Sequence, residues 1–478
     1  MWILGGEMDY KDFIQSKYLK AEKSGFEVQK LNPILFDYQK DLVKWALKLG
    51  KSAIFANTGL GKTFMQLEWA REVFEHTKKP VLILAPLAVS SQTIDEAKKL
   101  NLDISYCKTQ SDVISAVAKE LNINNGIVIT NYERLENFDS NNFSGVVLDE
   151  SSILKSFTGK YRQLIIENFK HTPYKLACSA TPAPNDFMEL GSHSEFLNVM
   201  PSSNMLAMFF YHDGGDTSKW RLKGHAERRF WEWVSSWGAI VKSPEDLGYD
   251  GTKHKLPKLI ENQIMVENDK IPDGMMFAMP ANTLDERRKA RKDSLEARCQ
   301  VACDLVTSSP NEQWLVWCDL NDEANLLRQL IPDSVNVQGS DKPEIKAENL
   351  LKFGRGEIDC LITKPKIASF GLNWQSCHNM IFVGLSDSYE AYYQAVRRCY
   401  RFGQTKPVNV YIITSIQEQN VLKNIQRKQK DFELMQNSMV EFTKKYVRDN
   451  LEVTFKELDR GYKPFIEMVV PKWLERVS

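Results

Sequence analysis

Short, uninterrupted apolar runs alternate with helical segments along most of this chain. In the first half the runs lie at 51–56, 80–86, 126–130, 145–149 and 175–179. In the second half they recur at 313–318, 360–363, 380–383 and 408–414. A run without polar residues on either face is typical of a parallel strand covered by helices on both sides. The pattern therefore predicts an α/β fold with two parallel sheets in tandem.

Composition narrows the class of protein further. The 478 residues include 62 basic and 62 acidic side chains, so the net charge is zero and a strongly basic tail-type binder is excluded, although local basic patches are not. We find no apolar run near the roughly 18 residues of a membrane span and no basic start of a signal peptide. The eight cysteines form no CxxC pair, which predicts buried, reduced thiols in a cytoplasmic protein without a structural zinc site.

One segment, residues 185–257, breaks the alternation and is rich in Gly, Trp and Phe. We interpret it as a helical insertion, in which Trp231, Val234 and Trp237 share one helical face. These side chains form either the insertion's own core or a stacking surface for nucleic acid. The predicted divisions are an N-terminal extension 1–34, a first lobe 35–184, the insertion 185–257, the end of lobe 1 and a linker 258–282, a second lobe 283–436, and a C-terminal extension 437–478.

A phosphate-binding loop is predicted at Ala56–Thr63 (ANTGLGKT), which directly follows a strand and opens a helix. Gly59 and Gly61 let the backbone turn its N–H groups toward phosphate oxygens, and the helix N-terminus adds a favourable dipole. Lys62 can reach the outer phosphates, and the Thr63 hydroxyl can bind Mg²⁺. The motif predicts a nucleoside triphosphate as ligand.

An acidic pair, Asp149 and Glu150, ends the apolar strand 145–149. In this class of fold such a pair lies beside the phosphate loop. Asp149 is positioned to hold Mg²⁺, and Glu150 to polarise an attacking water. The pair predicts hydrolysis rather than binding alone.

Two arginines in the second half, Arg398 and Arg401, are spaced i, i+3 and are predicted to share one helical face. Two guanidinium groups directed at one point suit an anion whose charge grows in the transition state. Because they belong to the other lobe, we expect a cleft that is completed when the lobes close.

Together these motifs resemble those of superfamily 2 helicases and translocases with two RecA-like lobes, and within them the Swi/Snf-type branch. The resemblance includes Leu35–Gln39 (LFDYQ), Cys178–Asn185 (CSATPAPN) and Ile362–Gln375 (ITKPKIASFGLNWQ). Gln394–Gln404 (QAVRRCYRFGQ) closely matches the last motif of the branch. The chain departs from the family at Ser152, where a His is usual, which affects how hydrolysis is coupled to nucleic acid. It also resembles helicases carried by phages and prophages.

The resemblance implies a role for each matching residue. The ATP-binding residues it implies, with Gln39 reading the base, are Gln39, Thr58, Gly59, Leu60, Gly61, Lys62, Thr63 and Gly371. The catalytic residues are Lys62, Glu150, Arg398 and Arg401, and Mg²⁺ is held by Thr63 and Asp149. The DNA-binding residues are Thr130, Asn131, Lys155 and Lys364 on the lobes, with the basic Arg221, Arg228 and Arg229 of the insertion.

The resemblance therefore predicts an ATP-dependent DNA translocase or helicase, a monomer that tracks duplex or forked DNA in a phage or mobile-element context. Three alternatives stay open. The first is an RNA helicase, whose closest relatives lack the Arg-Phe-Gly-Gln ending. The second is the motor subunit of a restriction or defence complex, whose nuclease or methyltransferase would be a separate chain. The third is an ATP-gated clamp, which would have no need of Glu150.

Overall fold

Two parallel sheets form the framework of the protein in a computed structural model, which describes residues 25–118, 126–155, 159–213, 216–266, 284–368 and 373–452. Within these ranges the first sheet has seven strands and the second has six. A separate antiparallel hairpin pairs Phe210–Asp213 with Asp216–Leu222. The predicted pair of RecA-like α/β lobes is confirmed.

The strands and helices have the following bounds. The strands are β1 Lys51–Ala56, β2 Val81–Ala85, β3 Ser105–Tyr106, β4 Ile127–Asn131, β5 Gly145–Asp149, β6 Tyr174–Cys178, β7 Phe210–Asp213, β8 Asp216–Leu222, β9 Gly238–Val241, β10 Leu259–Val266, β11 Trp314–Trp317, β12 Val335–Asn336, β13 Cys360–Thr363, β14 Asn379–Phe382 and β15 Val408–Ser415. The helices are α1 Asp37–Leu49, α2 Lys62–Thr77, α3 Leu87–Lys99, α4 Gln110–Ala118, α5 Lys160–Asn168, α6 Leu190–Phe196, α7 Ser202–Phe209, α8 Glu227–Ser235, α9 Leu284–Asp293, α10 Leu295–Thr307, α11 Asn321–Leu330, α12 Pro343–Gly354, α13 Pro365–Ala368, α14 Tyr389–Val396 and α15 Gln419–Glu452.

The sheet of lobe 1 is covered on both faces, as its apolar strands predict. Along β1, Ala53 and Phe55 pack into one hydrophobic cluster, whereas Ile54 and Ala56 pack into another on the opposite face. Successive side chains of a strand point to opposite faces, so a strand buried on both sides needs apolar residues at every position. This explains why these strands read as continuous runs rather than as alternating patterns.

The order of strands in lobe 1 brings the phosphate loop and the acidic pair together. The first sheet has the order β3-β4-β2-β5-β6-β1-β9, and the second has the order β10-β15-β14-β11-β13-β12. Strand β6 lies between β1 and β5, and Cys178 at its end is in register with Ile54 on one side and Asp149 on the other. Because all three strands are parallel, the segments that follow them emerge at the same edge of the sheet. Asp149 and the loop after Ala56 therefore face each other across one strand.

The segment predicted as a helical insertion is more varied than expected. It contains helices α6 to α8, but also the hairpin β7–β8 and strand β9, which pairs in parallel with β1 at the edge of the first sheet. Trp231, Trp233 and Trp237 are buried, at 2%, 2% and 3% exposure. These three tryptophans are thus core residues and offer no stacking surface. They do not form a core of the insertion alone, however, because Trp237 packs against Phe55 of β1 in lobe 1, at 6.3 Å between ring centroids.

Residues 258–282 were expected to end lobe 1, but strand β10 at Leu259–Val266 pairs in parallel with β15 along its whole length. The strand therefore belongs to the second sheet, and the chain has already crossed to lobe 2. Local patterning could not identify this pairing, because pairing between distant segments depends on the whole fold. The rest of this range, from residue 267 on, lies outside the described residues.

Helix α15 runs unbroken for 34 residues, through the predicted boundary at residue 437. It leaves lobe 2 after β15 and returns to lobe 1, where Thr443 Oγ1 accepts a hydrogen bond from the Ile240 amide at 3.1 Å. Met435, Met439 and Phe442 on this helix are buried. No helix in the described part of the chain is long and apolar enough to cross a membrane.

Candidate active site between the two lobes

The phosphate loop joins β1 to α2 and depends on two glycines in the left-handed region. Gly59 has φ +91° and Gly61 has φ +74°. A Cβ atom at Gly61 would lie 2.3 Å from Gln39 Nε2, and one at Gly59 would lie 2.9 Å from the backbone N of Phe402. Both positions therefore require glycine for conformation and for space. Helix α2 begins at Lys62, so the N–H groups of its first turn point out of the helix toward the loop.

Lys62 lies over the loop that precedes it. Its Nζ donates to the carbonyl oxygen of Ala56 at 2.8 Å. Burial lowers the pKa of Lys62, while the nearby carboxylates of Glu150 and Asp149 oppose that shift. The amine is thus held by backbone oxygens beside the acidic pair, where an anionic ligand could replace the backbone contact.

Asp149 is buried at the end of β5 and is held by hydrogen bonds on both its side chain and its backbone. Gln66 Nε2 of α2 donates to Asp149 Oδ1 at 2.8 Å, and Tyr132 Oη donates to the Asp149 carbonyl oxygen at 2.6 Å. Burial raises the pKa of Asp149, and the Gln66 hydrogen bond and Lys62 oppose it. The carboxyl is fixed in place next to the helix that carries Lys62 and Thr63.

Glu150 adopts φ +54°, a left-handed conformation that non-glycine residues rarely adopt. Strain of this kind persists where the surroundings enforce it, and it is common at functional sites. The side chain reaches lobe 2, where Gln394 Nε2 donates to Glu150 Oε2 at 3.3 Å. Enclosure by protein raises the pKa of Glu150 to about 7, against the opposing effect of Lys62.

Arg398 and Arg401 do not share a helical face, because helix α14 ends at Val396 and both lie in the turns that follow it. The prediction of one helical face was therefore wrong, although both side chains still face the cleft. Arg398 is 4% exposed, and its Nη2 donates to Gln394 Oε1 at 3.2 Å. Burial and the neighbouring charge of Arg401 lower the pKa of Arg398 to about 9, and Glu150 opposes the shift.

Further polar contacts cross between the lobes around this site. Asn57 Oδ1 of the phosphate loop accepts hydrogen bonds from Tyr393 Oη at 3.3 Å and from Gln436 Nε2 of α15 at 3.0 Å. Lys155 forms an ion pair with Glu390 of lobe 2. The phosphate loop is thus in direct contact with lobe 2 and with α15.

The donor set fits a magnesium nucleotide. A carboxylate and a hydroxyl, Asp149 and Thr63, are the hard oxygen ligands that Mg²⁺ prefers. The glycine loop at the start of α2, with Lys62 beside it, provides the N–H groups and the positive charge that bind phosphates. Gln39 Nε2 donates to the Leu60 carbonyl at 2.9 Å, so its amide lies against the same loop. Gly371, predicted as a further ATP-binding residue, lies outside the described residues.

The predicted DNA-binding residues are distributed over several environments. Thr130 is fully buried in β4 and Asn131 is 5% exposed, so their side chains do not line the surface in this structure. Lys364 is partly exposed just after β13. The insertion's arginines Arg221, Arg228 and Arg229 are exposed, with the Arg228 guanidinium 6.0 Å from the Phe442 ring. These residues lie on both lobes and on the insertion, and their contact with DNA stays a prediction.

Three polar residues at the site were not predicted: Asn57, Gln66 and Gln394. Gln394 bridges Glu150 to Arg398, and it lies one helical turn before that arginine in the sequence. Gln66 follows Lys62 by one turn of α2 and holds Asp149. For Gln66 the i, i+4 spacing from Lys62 is a usable signal, because both residues lie on one face of α2. For Gln394 the spacing gives no such signal, because α14 ends before Arg398.

The molecule has two parallel α/β lobes. One lobe carries a phosphate loop and an acidic pair, and the other carries paired arginines. These features define a two-lobed P-loop nucleotide hydrolase. Residues 38–211 match the SNF2-related domain, and residues 297–403 match the helicase conserved C-terminal domain. The chain therefore carries the two domains of a superfamily 2 helicase of the Swi/Snf-like branch. Domains of this kind imply ATP hydrolysis.

Two curated proteins illustrate the similarity. The TATA-binding protein-associated factor mot1 of Schizosaccharomyces pombe is 32% identical over 115 residues, which are 22% of this chain and 6% of that protein. The TATA-binding protein-associated factor MOT1 of Saccharomyces cerevisiae is 33% identical over 107 residues, which are 21% of this chain and 6% of that protein. The matched part thus spans about 6% of the length of either relative.

Proposed function

We propose that this protein is a DNA-dependent ATPase that hydrolyses ATP between its lobes and thereby moves along duplex DNA. The observation that carries the proposal is the Gln394 bridge, in which one lobe 2 side chain contacts both Glu150 of lobe 1 and Arg398 of lobe 2. The water-activating carboxylate and the arginine thus lie on opposite walls of one cleft. A hydrolytic site built this way is complete only when the lobes are together, which couples turnover to their movement.

The roles of the residues follow from their positions. Lys62 and the N–H groups of the phosphate loop bind the phosphates, Thr63 and Asp149 hold Mg²⁺, and Gln39 contacts the base. Bound Mg²⁺ supplies positive charge to the phosphate oxygens. Glu150 accepts a proton from the attacking water.

The two arginines act from lobe 2. Arg398 and Arg401 stabilise the negative charge that develops on the transferring phosphoryl group. Arg398 is already desolvated in a buried setting, where its charge interacts more strongly with an anion than it would in water. It is therefore prepared to act as soon as a triphosphate enters the cleft.

The proposed substrate is duplex DNA, because the Arg401–Gln404 ending resembles the Swi/Snf-type branch, whose members typically track duplexes. Phosphate contacts on the lobes would come from Lys155 and Lys364, since the Thr130 and Asn131 side chains are buried. The exposed arginines of the insertion, with Lys223, would meet the backbone beyond the tracked strand. Since phosphate contacts carry no base information, movement would be largely independent of sequence.

Several finer features belong to the same proposal. We infer a cytoplasmic monomer acting in a phage or mobile-element context, on the basis of the resemblance to phage-borne helicases and the buried, free cysteines. A nuclease or methyltransferase activity would require a separate partner chain. The competing activity is that of an RNA helicase, for which RNA rather than duplex DNA would activate ATP hydrolysis.

ATP hydrolysis measured with blunt duplex DNA, forked DNA, single-stranded DNA and RNA of equal length tests the proposal. Blunt duplex should stimulate at least as well as single strands, and RNA should stimulate poorly. DNA affinity should fall by roughly 0.9 log units per log unit of salt for each phosphate neutralised on a duplex. Glu150→Gln serves as the matched control, since it keeps the shape of the site and removes the base. Strong stimulation by RNA, or none by blunt duplex, contradicts the assignment.

A further inference from the structure

A buried histidine of the insertion lies directly behind the acidic pair of lobe 1. His193 belongs to α6 and is fully buried. Its Nε2 is joined to Ser151 Oγ by a hydrogen bond of 3.0 Å, and Ser151 is the residue that follows Glu150 in the sequence. The insertion thus places a polar side chain one residue away from the carboxylate that would activate water.

The same histidine contacts the strand that leads into the phosphate loop. Its ring meets the Phe55 ring edge to face, with 5.4 Å between the centroids and 90° between the planes. Phe55 is the residue before Ala56, at which β1 ends. One side chain of α6 therefore contacts both of the lobe 1 segments that lead into catalytic groups.

The residues on either side of Glu150 are each held by a hydrogen bond. Tyr132 Oη donates to the Asp149 carbonyl oxygen at 2.6 Å on one side, and His193 holds Ser151 on the other. Glu150 lies between them at φ +54°, and such a conformation persists only where the surroundings enforce it. The two hydrogen bonds restrain the chain on both sides of the strained residue.

We propose that His193 is a positioning residue, which holds Ser151 and thereby keeps Glu150 directed at the attacking water. The inference rests on the proposed function, because it assumes that Glu150 accepts the proton of that water. Position 152 is a serine in this chain, and the histidine behind the acidic pair comes from the insertion instead. Hydrolysis then depends on how α6 packs on lobe 1, which makes the insertion part of the catalytic lobe.

Loss of this hydrogen bond should affect the rate of hydrolysis more than the binding of ATP. Both partners are fully buried, so a hydroxyl left without its partner is destabilised and favours a different local arrangement. A shift of about 1 Å in a catalytic group can lower a rate by about 10²-fold. Lys62 and the N–H groups of the loop, which would bind the phosphates, are left unchanged. The expected result is therefore a lower kcat at a nearly constant Kd.

The experiment compares two replacements of the histidine. His193→Phe keeps a ring against Phe55 but cannot form the hydrogen bond, whereas the amide of His193→Gln can reach Ser151 in place of Nε2. Single-turnover hydrolysis and the Kd for ATP are measured with and without duplex DNA. The rates of His193→Phe and Ser151→Ala should fall by about 10- to 100-fold with Kd within about threefold, and His193→Gln should retain most of the wild-type rate.

Ser194→Ala is the matched control for these variants. Ser194 is fully buried on the same helix, and its Oγ donates to the Met200 carbonyl oxygen at 2.9 Å, inside the insertion. The substitution removes a buried hydrogen bond of the same kind without touching Ser151 or Glu150. Its rate of hydrolysis should stay near that of the wild type.

A second comparison tests whether His193 acts through Glu150. Adding His193→Phe to Glu150→Gln should cause no further loss of rate, because the base that the histidine positions has already been removed. Adding it to Ser151→Ala should also cause no further loss, because both substitutions remove one and the same hydrogen bond. A histidine that acted independently of these residues would lower the rate additively in both combinations.

The outcomes separate the positioning role from the proposed function. If the wild type does not hydrolyse ATP, the proposed function fails and the positioning role fails with it. If the wild type hydrolyses ATP and Glu150→Gln does not, but His193→Phe and Ser151→Ala both turn over normally, only the positioning role is wrong. A rate for His193→Gln as low as that for His193→Phe, or additive losses in the combinations, also overturns it. If His193→Phe does not fold, Ser151→Ala decides, since it removes a single hydroxyl.

Discussion

Replacing Arg398 by methionine should have different effects on the stability of the protein and on its rate of ATP hydrolysis. Arg398 is 4% exposed, and burial lowers its pKa to about 9, so a positive charge is held where its hydration has been removed. Desolvation and repulsion from Arg401 together outweigh the attraction of Glu150 for this charge, so an apolar side chain of similar volume removes a net unfavourable charge. The lost hydrogen bonds to Gln394 offset part of that gain. We therefore expect Arg398→Met without nucleotide to unfold at wild-type temperature or slightly above.

The rate of ATP hydrolysis should fall in the same variant. An arginine that stabilises a transferring phosphoryl group contributes roughly 10³–10⁵ in rate. Single-turnover hydrolysis by Arg398→Met should fall by at least about 10³-fold, while ATP affinity should change only a few-fold. The assay combines thermal unfolding, nucleotide binding and quenched-flow hydrolysis on the same preparation.

The adjacent Arg397 provides a matched control. Its guanidinium lies 5.0 Å from the Tyr393 ring and 5.1 Å from the Tyr400 ring, so it stacks on aromatic faces instead of facing Glu150. Each such contact is worth about 0.5–1 kcal/mol, and Arg397→Met should lower the unfolding temperature while hydrolysis stays within a few-fold. Two results would refute the reasoning: hydrolysis by Arg398→Met within tenfold of wild type, or a greater loss of stability in Arg398→Met than in Arg397→Met.

Three further predictions concern lobe 1 and its contacts. Glu150→Gln should bind ATP normally and lose about 10²–10⁴-fold in single-turnover hydrolysis; near-normal turnover would remove Glu150 from its role. His193 is buried, bonded through Nε2 to Ser151 Oγ at 3.0 Å, and burial lowers its pKa from 6.5 to about 4. As the pH falls, the unfolded state therefore takes up the proton before the folded state does. The free energy of unfolding of the wild type should fall by on the order of 3 kcal/mol between pH 6.5 and 4. In urea unfolding, the free energy of unfolding of His193→Gln should depend less on pH. Lys155→Glu or Glu390→Lys alone should increase the distance between the lobes measured by fluorescence transfer, and the double reversal should restore it; a double variant as open as the singles would contradict a role for this ion pair.

Much of the fold and the chemical core of the site could be predicted from local sequence. The strand runs locate the two sheets because a doubly covered parallel strand must be apolar at every position. The phosphate loop is predicted because Gly59 and Gly61 occupy left-handed conformations that glycine adopts readily. These features depend on the residues within one short segment.

The features that were missed depend on contacts between distant segments. Strand β10 looks like any strand, and only its pairing with β15 assigns it to lobe 2. Arg398 and Arg401 keep helical spacing in the sequence, yet the helix ends at Val396 and turns place both side chains at the cleft. Spacing predicts a shared direction only while the helix continues, and nothing in the spacing marks its end.

The lobes are joined by two kinds of contact that differ in how easily they break. Several contacts around the cleft are polar: Gln394 with Glu150, Lys155 with Glu390, and Lys428 with Asn185 at 2.9 Å. Such contacts contribute about 1 kcal/mol each, because water or a ligand can replace either partner. Helix α15 instead buries Met435, Met439 and Phe442, and apolar burial has no comparable substitute in water. A nucleotide or a DNA phosphate can therefore replace the cleft contacts one at a time, while α15 keeps the lobes together. This arrangement favours repeated opening and closing at the ATP site over separation of the lobes.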